Sequence, residues 1–404
     1  MSEEKWIPKV RFEKFNKNMA WEKFRLGELV TIKSGTSPSA FKFGEELYVK
    51  VDDLNYSFKN QRDTNMKVAE NLRYKKIKKG SVIFPKRGAA IMTNKVRIMG
   101  ISGYMDTNMM ALEPEGISTE FLYLFISKTG LYKIADTSTI PQINNKHIEP
   151  YKIIMPEENE QQKIGNLFGK LDQAISLQQQ VLETTKEYKQ SMLQKMFPKK
   201  GEKVPKIRFK EFKDNWQYSK FKNIADIFRG LTYKPSDLTN EQGTRVLRSS
   251  NIEVDQFRIF SDDVFVEDNA ADIIPIEKNN IIITSANGSK NLVGKHAVVN
   301  QNIGKAVVGG FMYSVRTDYP YFLNSWMNTD LYSDVLRLVQ GGGGSIGNLP
   351  INALKQQNIL MPSMNERKKI GSFFKTLDEK IEQEEKKLET YQSMKKALMQ
   401  RMFV

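Results

Sequence analysis

Apolar side chains recur in alternating steps of four and three in two stretches of the chain, residues 160–198 and 366–404. The first series runs Ile164, Phe168, Leu171, Ile175, Gln178, Leu182, Thr185, Lys189, Met192, Met196. The second runs Ile370, Phe374, Leu377, Ile381, Glu384, Leu388, Tyr391, Lys395, Leu398, Met402. That spacing keeps one seam of a helix facing a partner helix, as in a coiled coil. An offset of 206 aligns the stretches without a gap and matches about fifteen of thirty-nine positions, and both seams turn polar at the same places. Neither stretch holds an internal proline; Pro156 and Pro362 stand just before them, and Ser363 with Glu366 has capping-box spacing. Each helix should be roughly 55–60 Å long at about 1.5 Å per residue, too long for one small domain. Two independent amphipathic helices, each on its own domain, are the simpler alternative. Matching seams of equal length favour pairing, antiparallel because a whole domain intervenes.

Shorter patterns repeat as well. Pro8-Lys9-Val10-Arg11-Phe12 returns as Pro205-Lys206-Ile207-Arg208-Phe209, followed by Trp21 or Trp216. Residues 24–37 and 221–236 each read as a short helical piece and a strand ending at Gly35 or Gly230. Asp53-Leu54 parallels Asn251-Ile252. Residues 78–98 and 277–299 carry apolar runs broken at glycines, the pattern of short buried strands. Residues 121–133 and 321–336 read as helices. A turn-rich stretch follows in each half, TSTIPQINN (137–145) and GGGGSIGNLP (341–350), and then a last strand. The predicted fold class is α+β: two similar α/β domains with irregular sheets, separated by two long antiparallel helices forming a coiled coil, a pseudo-twofold repeat. The predicted boundaries are a first domain at 1–156, a long helix at 157–197, a charged linker at 198–204, a second domain at 205–362 and a last helix at 363–404.

The chain's 404 residues include no cysteine, which excludes disulfides and thiolate chemistry and suits a reducing cytoplasm. No apolar run approaches a membrane span, and MSEEKWIPKV does not read as a signal peptide. Enzyme motifs are missing: no P-loop, GxGxxG, HExxH or amino-methyltransferase Asn/Asp-Pro-Pro-Tyr/Phe. Gly341–Gly344 lacks the Lys-Ser/Thr of a phosphate loop and reads as a turn. His147 and His296 occupy non-equivalent places and read as surface or loop residues, with no catalytic or metal-binding role. The chain reads as non-catalytic.

A formal charge of +15 and a pI near 9.5 point to a polyanion, with nucleic acid favoured over membrane. No acidic residue lies between Glu70 and Asp106 or between Glu277 and Asp318. Windows rich in Lys and Arg and free of competing carboxylates are footprints for a phosphate backbone; Lys75–Lys79 also fits a solvated turn. Base reading needs paired donors and acceptors on loops that enter a groove. The candidates are Lys33, Ser34, Lys86, Arg87, Thr93, Asn94, Lys95 and Arg97 in the first half. In the second they are Arg229, Tyr233, Lys234, Arg248, Asn287, Ser289, Lys290, Asn291 and Lys295. Leu167, Ala174 and Val181 form a stripe beside the first seam, suited to a partner helix or to the helix's own domain.

Two copies of a PKxRF…W segment, a divergent domain of about 150 residues and a helix opening MP-x-x-x-E-(x)3-IG-x-(x)-F-x-x-LD-x-x-I resemble the specificity subunits of Type I restriction-modification systems. The resemblance covers essentially the whole chain; the loops 137–145 and 341–350 depart from one another. It implies target recognition domains that each read one half of a split, asymmetric double-stranded DNA site, and helices that act as a ruler. It also implies docking of two methyltransferase (M) subunits and two motor-nuclease (R) subunits, directing adenine methylation or cleavage. S-adenosylmethionine, ATP and Mg2+ would belong to those partners, with no cofactor on this chain. A stand-alone bipartite DNA-binding or architectural protein is the competing class, and a methyltransferase with unrecognised motifs a third.

Overall fold

The computed structural model describes residues 6–15, 20–240, 242–340 and 347–404, without side chains for 338–340; the Gly341–Gly344 run lies outside the described residues. The chain divides into two compact units, residues 1–179 with 386–404 and residues 180–385, so the division falls inside both long helices. In the first unit the labelled elements are β1 (Val30–Ser34), β2 (Phe43–Val49), β3 (Val82–Pro85), β4 (Arg97–Met99), β5 (Met109–Pro114) and α1 (Thr119–Thr129). The first long helix, α2, spans Glu158–Met196. The second unit holds β6 (Asp226–Arg229), β7 (Ile281–Thr284), β8 (His296–Val298), β9 (Met312–Arg316) and α3 (Pro320–Met327), and the second long helix, α4, spans Met364–Met402.

In the first unit the main sheet runs β1-β5-β3-β4 and then Asn60–Gln61, antiparallel except for the last, parallel pair. The second unit repeats the order as β6-β9-β7-β8, all antiparallel. A smaller sheet accompanies each: β2 between Lys67–Val68 and Tyr104–Met105 in the first unit, and a four-stranded sheet built around Thr244–Leu247 in the second. The strand after each tryptophan, Glu22–Arg25 or Gln217–Lys220, pairs antiparallel with the last strand of its domain, Lys152–Met155 or Asn358–Met361. The predicted helices at 121–133 and 321–336 are each broken in two. Gly130, at φ +86°, separates α1 from Leu131–Ile134, and Asn328 and Thr329 separate α3 from Asp330–Gln340.

The long helices fall inside the predicted bounds, starting one residue later and ending on the last seam residues, Met196 and Met402, so Phe197 and Phe403 lie just beyond them. The capping box at Ser363 is half made. The Glu366 N–H donates to Ser363 Oγ at 3.4 Å, while the Glu366 carboxylate is taken by Arg208 in a fork of 2.7 and 2.7 Å. Glu160 receives the same fork from Arg11, at 2.7 and 2.6 Å. The repeated PKxRF arginine thus locks the chain entering each domain onto the start of a long helix. Burial makes such a bidentate bond strong and its half-removal costly.

In the first unit, Asp172 of α2 meets Lys395 of α4 at 2.6 Å, and Phe168 lies 6.3 Å from Phe403. In the second, Asp378 of α4 meets Lys189 of α2 at 2.6 Å, Glu385 meets Lys186 at 2.8 Å, and Phe374 lies 6.1 Å from Phe197. Within each unit the helix segments are therefore antiparallel, and the ion pair is the same pair shifted by the repeat. Ile164, Phe168, Leu171 and Leu398 share one core, and Met192, Ile370, Phe374 and Leu377 share another. Ile175 and Ile381 are buried and Leu182 and Leu388 half-buried; Leu193 is buried more deeply than its seam neighbour Met192.

Phe403 stacks on Phe121 at 5.1 Å and meets Trp21 edge-on at 6.2 Å; Phe197 lies 5.5 Å from Phe322 and 5.9 Å from Trp216. The Met-Phe after each helix plugs the aromatic core of its unit. Gly165 and Gly371 admit the neighbouring helices: a Cβ at Gly165 would fall 2.6 Å from Glu120 Cβ, and one at Gly371 3.0 Å from Phe322 N. Glycine weakens a helix interior by about 1 kcal/mol relative to Ala, and close packing explains it here. Leu167 packs on its own unit's core and Ala174 is half-buried, whereas Val181 is exposed.

Candidate nucleic-acid interface

At one end of each main sheet the edge strand stops at a glycine that touches the opposing backbone. A Cβ on Gly35 would lie 1.9 Å from Asp106 O, and one on Gly230 1.9 Å from Gly309 O. No other residue lets the chain turn there. Register makes the two ends equivalent: Ser34 pairs with Met110 and Phe84 with Met110 in the first unit, Arg229 with Tyr313 and Ile283 with Tyr313 in the second.

In the first unit this corner gathers Lys33, Ser34, Lys86 and Arg87. Lys86 Nζ donates to Ser34 Oγ at 3.2 Å. Burial, reinforced by the Arg87 guanidinium, holds the Lys86 ammonium below its ordinary pKa, with Asp106 opposing. A half-buried cation with depressed pKa gains from an arriving phosphate or base acceptor. Arg87 is exposed, and its backbone bridges to Gln142.

The other four candidates of the first unit serve the fold. Asn94, at φ 49°, donates from its amide to Ser127 O at 2.9 Å and accepts from Leu131 N at 2.9 Å. Arg97 donates to Ser57 O at 2.7 Å, Leu54 O at 2.6 Å and Val96 O at 2.7 Å. Thr93 donates to Ala90 O, and Lys95 to the Asn55 side chain. The acid-free windows are not acid-free in space: Lys76 lies between Glu46 and Glu70, Lys78 bonds Glu113, and Lys305 bonds Asp268.

In the second unit Tyr233, Arg248 and Asn287 line one cleft of about 920 Å³, with Phe311 on its wall 70 % exposed. Arg229 is exposed on the edge strand and Lys234 lies beyond Tyr233. Asn287 accepts from Ser289 N at 2.9 Å, shaping the turn into Lys290–Leu292, where Lys290 and Asn291 sit. Lys295 leads into β8. His296, predicted on the surface, is buried on β8; its Nδ1 lies 2.9 Å from Gly294 O, and burial lowers its pKa. Such a histidine stays neutral and packs.

Two residues escaped the reading of the sequence. Lys50 is the first-unit counterpart of Arg248: each backbone N–H is capped three residues on, by Asp53 at 2.7 Å and by Asn251 at 2.8 Å. Aligning Asp53-Leu54 with Asn251-Ile252 already places them together. Phe311 carries no such signal, since an apolar residue beside a strand reads as core. Among the described residues no group of three His, Asp or Glu is placed to hold a metal ion, and no helix is long and apolar enough to cross a membrane.

Two repeated α+β domains, each presenting a divergent polar corner and each tied to both long helices, define a class of paired recognition modules on a shared helical scaffold. The family model for the Type I restriction modification DNA specificity domain matches residues 18–187 and 213–390. The chain belongs to this family and is a non-catalytic specificity subunit with two recognition domains. It is 24 % identical to the Type I restriction enzyme MjaVIII specificity subunit of Methanocaldococcus jannaschii, over 94 % of this chain and 91 % of that protein. The StySPI specificity subunit of Salmonella potsdam is 25 % identical over 44 % of this chain and 39 % of its own length. The solved S subunit from M. genitalium superposes with a TM-score of 0.65 at 15 % identity, covering 98 % of this chain and 99 % of that one. A chain from a structure describing complex assembly and conformational transition of the type I R-M system gives 0.55 at 14 %, covering 95 % and 97 %.

Proposed function

We propose that each recognition domain reads one half of an asymmetric, bipartite double-stranded DNA site through the corner just described. One observation carries this reading: the same backbone corner recurs in both domains with different side chains. Lys33, Ser34, Lys86 and Arg87 lead in the first, and Arg229, Tyr233, Arg248 and Asn287 in the second. Cations beside donors and acceptors at a sheet end suit phosphate positioning with base-edge reading. In this reading the long helices set the spacer and dock two methyltransferase subunits, with two motor-nuclease subunits joining for cleavage. S-adenosylmethionine, ATP and Mg2+ reside on those partners, and the complex works in the cytoplasm on adenines.

The test is methylome sequencing of cells carrying the chain with its partner genes. The expected outcome is one split, asymmetric motif; an uninterrupted block overturns the reading. Inserting one heptad after Gln180, compensated after Lys386, adds about 10 Å of helix. At about 3.4 Å per base pair the spacer should grow by about three base pairs while both halves stay the same. An unchanged spacer removes the ruler role.

A further inference from the structure

The first recognition domain carries a second surface outside its corner. Residues 40–43 run beside residues 68–74: Phe43 pairs with Val68, Ala69 N donates to Lys42 O at 2.7 Å, and the Asn71 amide donates to Ala40 O at 3.0 Å. Two large apolar side chains stand almost fully in solvent on this edge, Phe43 at 89 % and Leu72 at 93 % exposure. They project from a stiff base, because the Phe41 ring packs on Tyr104 at 4.5 Å, Tyr74 at 5.5 Å and Tyr48 at 5.7 Å. Around them Lys42, Lys67, Arg73 and Lys75 are exposed. Lys76 sits between Glu46 and Glu70 and offsets one of their two charges, and Glu45 and Glu70 are exposed, so the four exposed cations outnumber the acids beside them.

We propose that this edge is a second DNA contact, to duplex flanking the first half-site, in which Phe43 and Leu72 enter the groove while the surrounding cations hold phosphates. Apolar wedges flanked by Lys and Arg are how proteins unstack a base step and bend the duplex. A protein partner fits less well, because lysines are depleted from protein–protein interfaces. A membrane fits less well too, because two side chains on a strand and turn do not make an amphipathic helix. The corner and the edge are joined by residues 35–41, so Ser34 and Lys42 lie at most about 28 Å apart. The contact therefore falls within about eight base pairs of the corner, at about 3.4 Å each. The second domain keeps only part of this surface: Leu238, 49 % exposed, pairs with Val266 as Phe43 pairs with Val68, but Ala270 stands where the first domain has Leu72, and the exposed neighbours Glu267 and Asp268 are acidic. Only one flank should be deformed. The inference rests on the first domain being a DNA reader.

The test uses the full chain and a duplex containing the motif found by methylome sequencing, with 2-aminopurine scanned through both outer flanks. Wild type should raise fluorescence several-fold at one flanking step. Replacing Phe43 and Leu72 together by Ala should abolish that rise and weaken binding about tenfold, while both half-sites stay protected from nuclease. Both side chains are exposed, so folding should survive; circular dichroism checks this. As a second variant, Lys42→Gln with Arg73→Gln should lower the slope of log affinity against log salt by about 1.8. Unchanged fluorescence and affinity in the Ala variant overturns the proposal, as does loss of a co-purifying protein with DNA binding intact. If wild type protects no half-site, the DNA-reading function falls and this contact with it; half-sites protected without flank deformation sinks the contact alone.

Discussion

The two recognition domains keep the same parts where the chain must hold itself together and differ where it faces outward. Arg11–Glu160 and Arg208–Glu366 are the same buried fork, and Asp172–Lys395 and Asp378–Lys189 the same interhelical pair. At the corner, Lys86 and Arg87 of the first domain occupy the positions that Ser285 and Ala286 hold in the second, and Asp106 corresponds to Gly309. The first corner is a platform with Lys86 and Arg87 at its centre; the second is a cleft with an aromatic wall, lined by Arg248 and with Arg229 on the adjoining edge strand. A buried fork tolerates little change, because one missing partner strands a charge in the interior. An exposed corner exchanges residues at small energetic expense, so variation collects there.

The comparison is tested most severely at the forks. Arg11→Ala and Arg208→Ala each leave a carboxylate that is at most 1 % exposed without its partner, and each should destabilise its unit by about 3–5 kcal/mol. Urea unfolding of the two variants should show nearly equal midpoint shifts. A loss in one variant only would show that the repeat is geometric without being energetic. A smaller effect separates the corners. Arg87→Ala should reduce discrimination by about 1–3 kcal/mol at one half-site and leave the other unchanged, as read by competition with single-base variants of the motif. Lys95→Ala should do less, because its ammonium is bonded to Asn55. Equal weakening on all sequences would limit Arg87 to phosphate contact.

What was legible from the chain follows the same division. Periodicity and repetition disclosed the long helices, their antiparallel contact within each unit and the leading segments, because these depend on local pattern and on burial that both copies share. The corner was legible in part: Lys33, Ser34, Lys86 and Arg87 do converge, and Tyr233, Arg248 and Asn287 share a cleft. Arg97 and Asn94 show where one-dimensional charge and polarity mislead. Loop folding turns their donors inward to satisfy buried carbonyls, a demand that no linear window displays. Lys76 and Lys78 show the same for acid-free runs, since Glu46 and Glu113 arrive from distant strands. Phe43 and Leu72 were illegible for the opposite reason, as apolar residues in a strand and a turn pass for core.

The interhelical pairs differ in surroundings, and pH exposes this. Asp172 meets Lys395 and also Lys59, at 3.4 Å. Asp378 meets Lys189 and keeps 33 % of its side chain exposed; its partial desolvation, with smaller contributions from Asp255 and Glu379, still raises its pKa despite that lysine. A carboxyl whose folded pKa stands above its unfolded one holds its proton more tightly in the native chain. Its stabilisation is complete below the ordinary carboxylate range and is lost as pH rises through the folded value. Within that window the slope is at most about 1.4 kcal/mol per pH unit. Asp378→Asn keeps the shape, removes the titrating proton, and should flatten the fall in stability with rising pH. Asp172→Asn should instead lower stability at neutral pH, since two lysines lose their carboxylate. Unfolding midpoints from pH 4 to 8 decide the matter: if Asp378→Asn leaves the slope as it is in wild type, the two pairs are alike in energy as well as in position, and the asymmetry of the domains lies in their outward-facing surfaces.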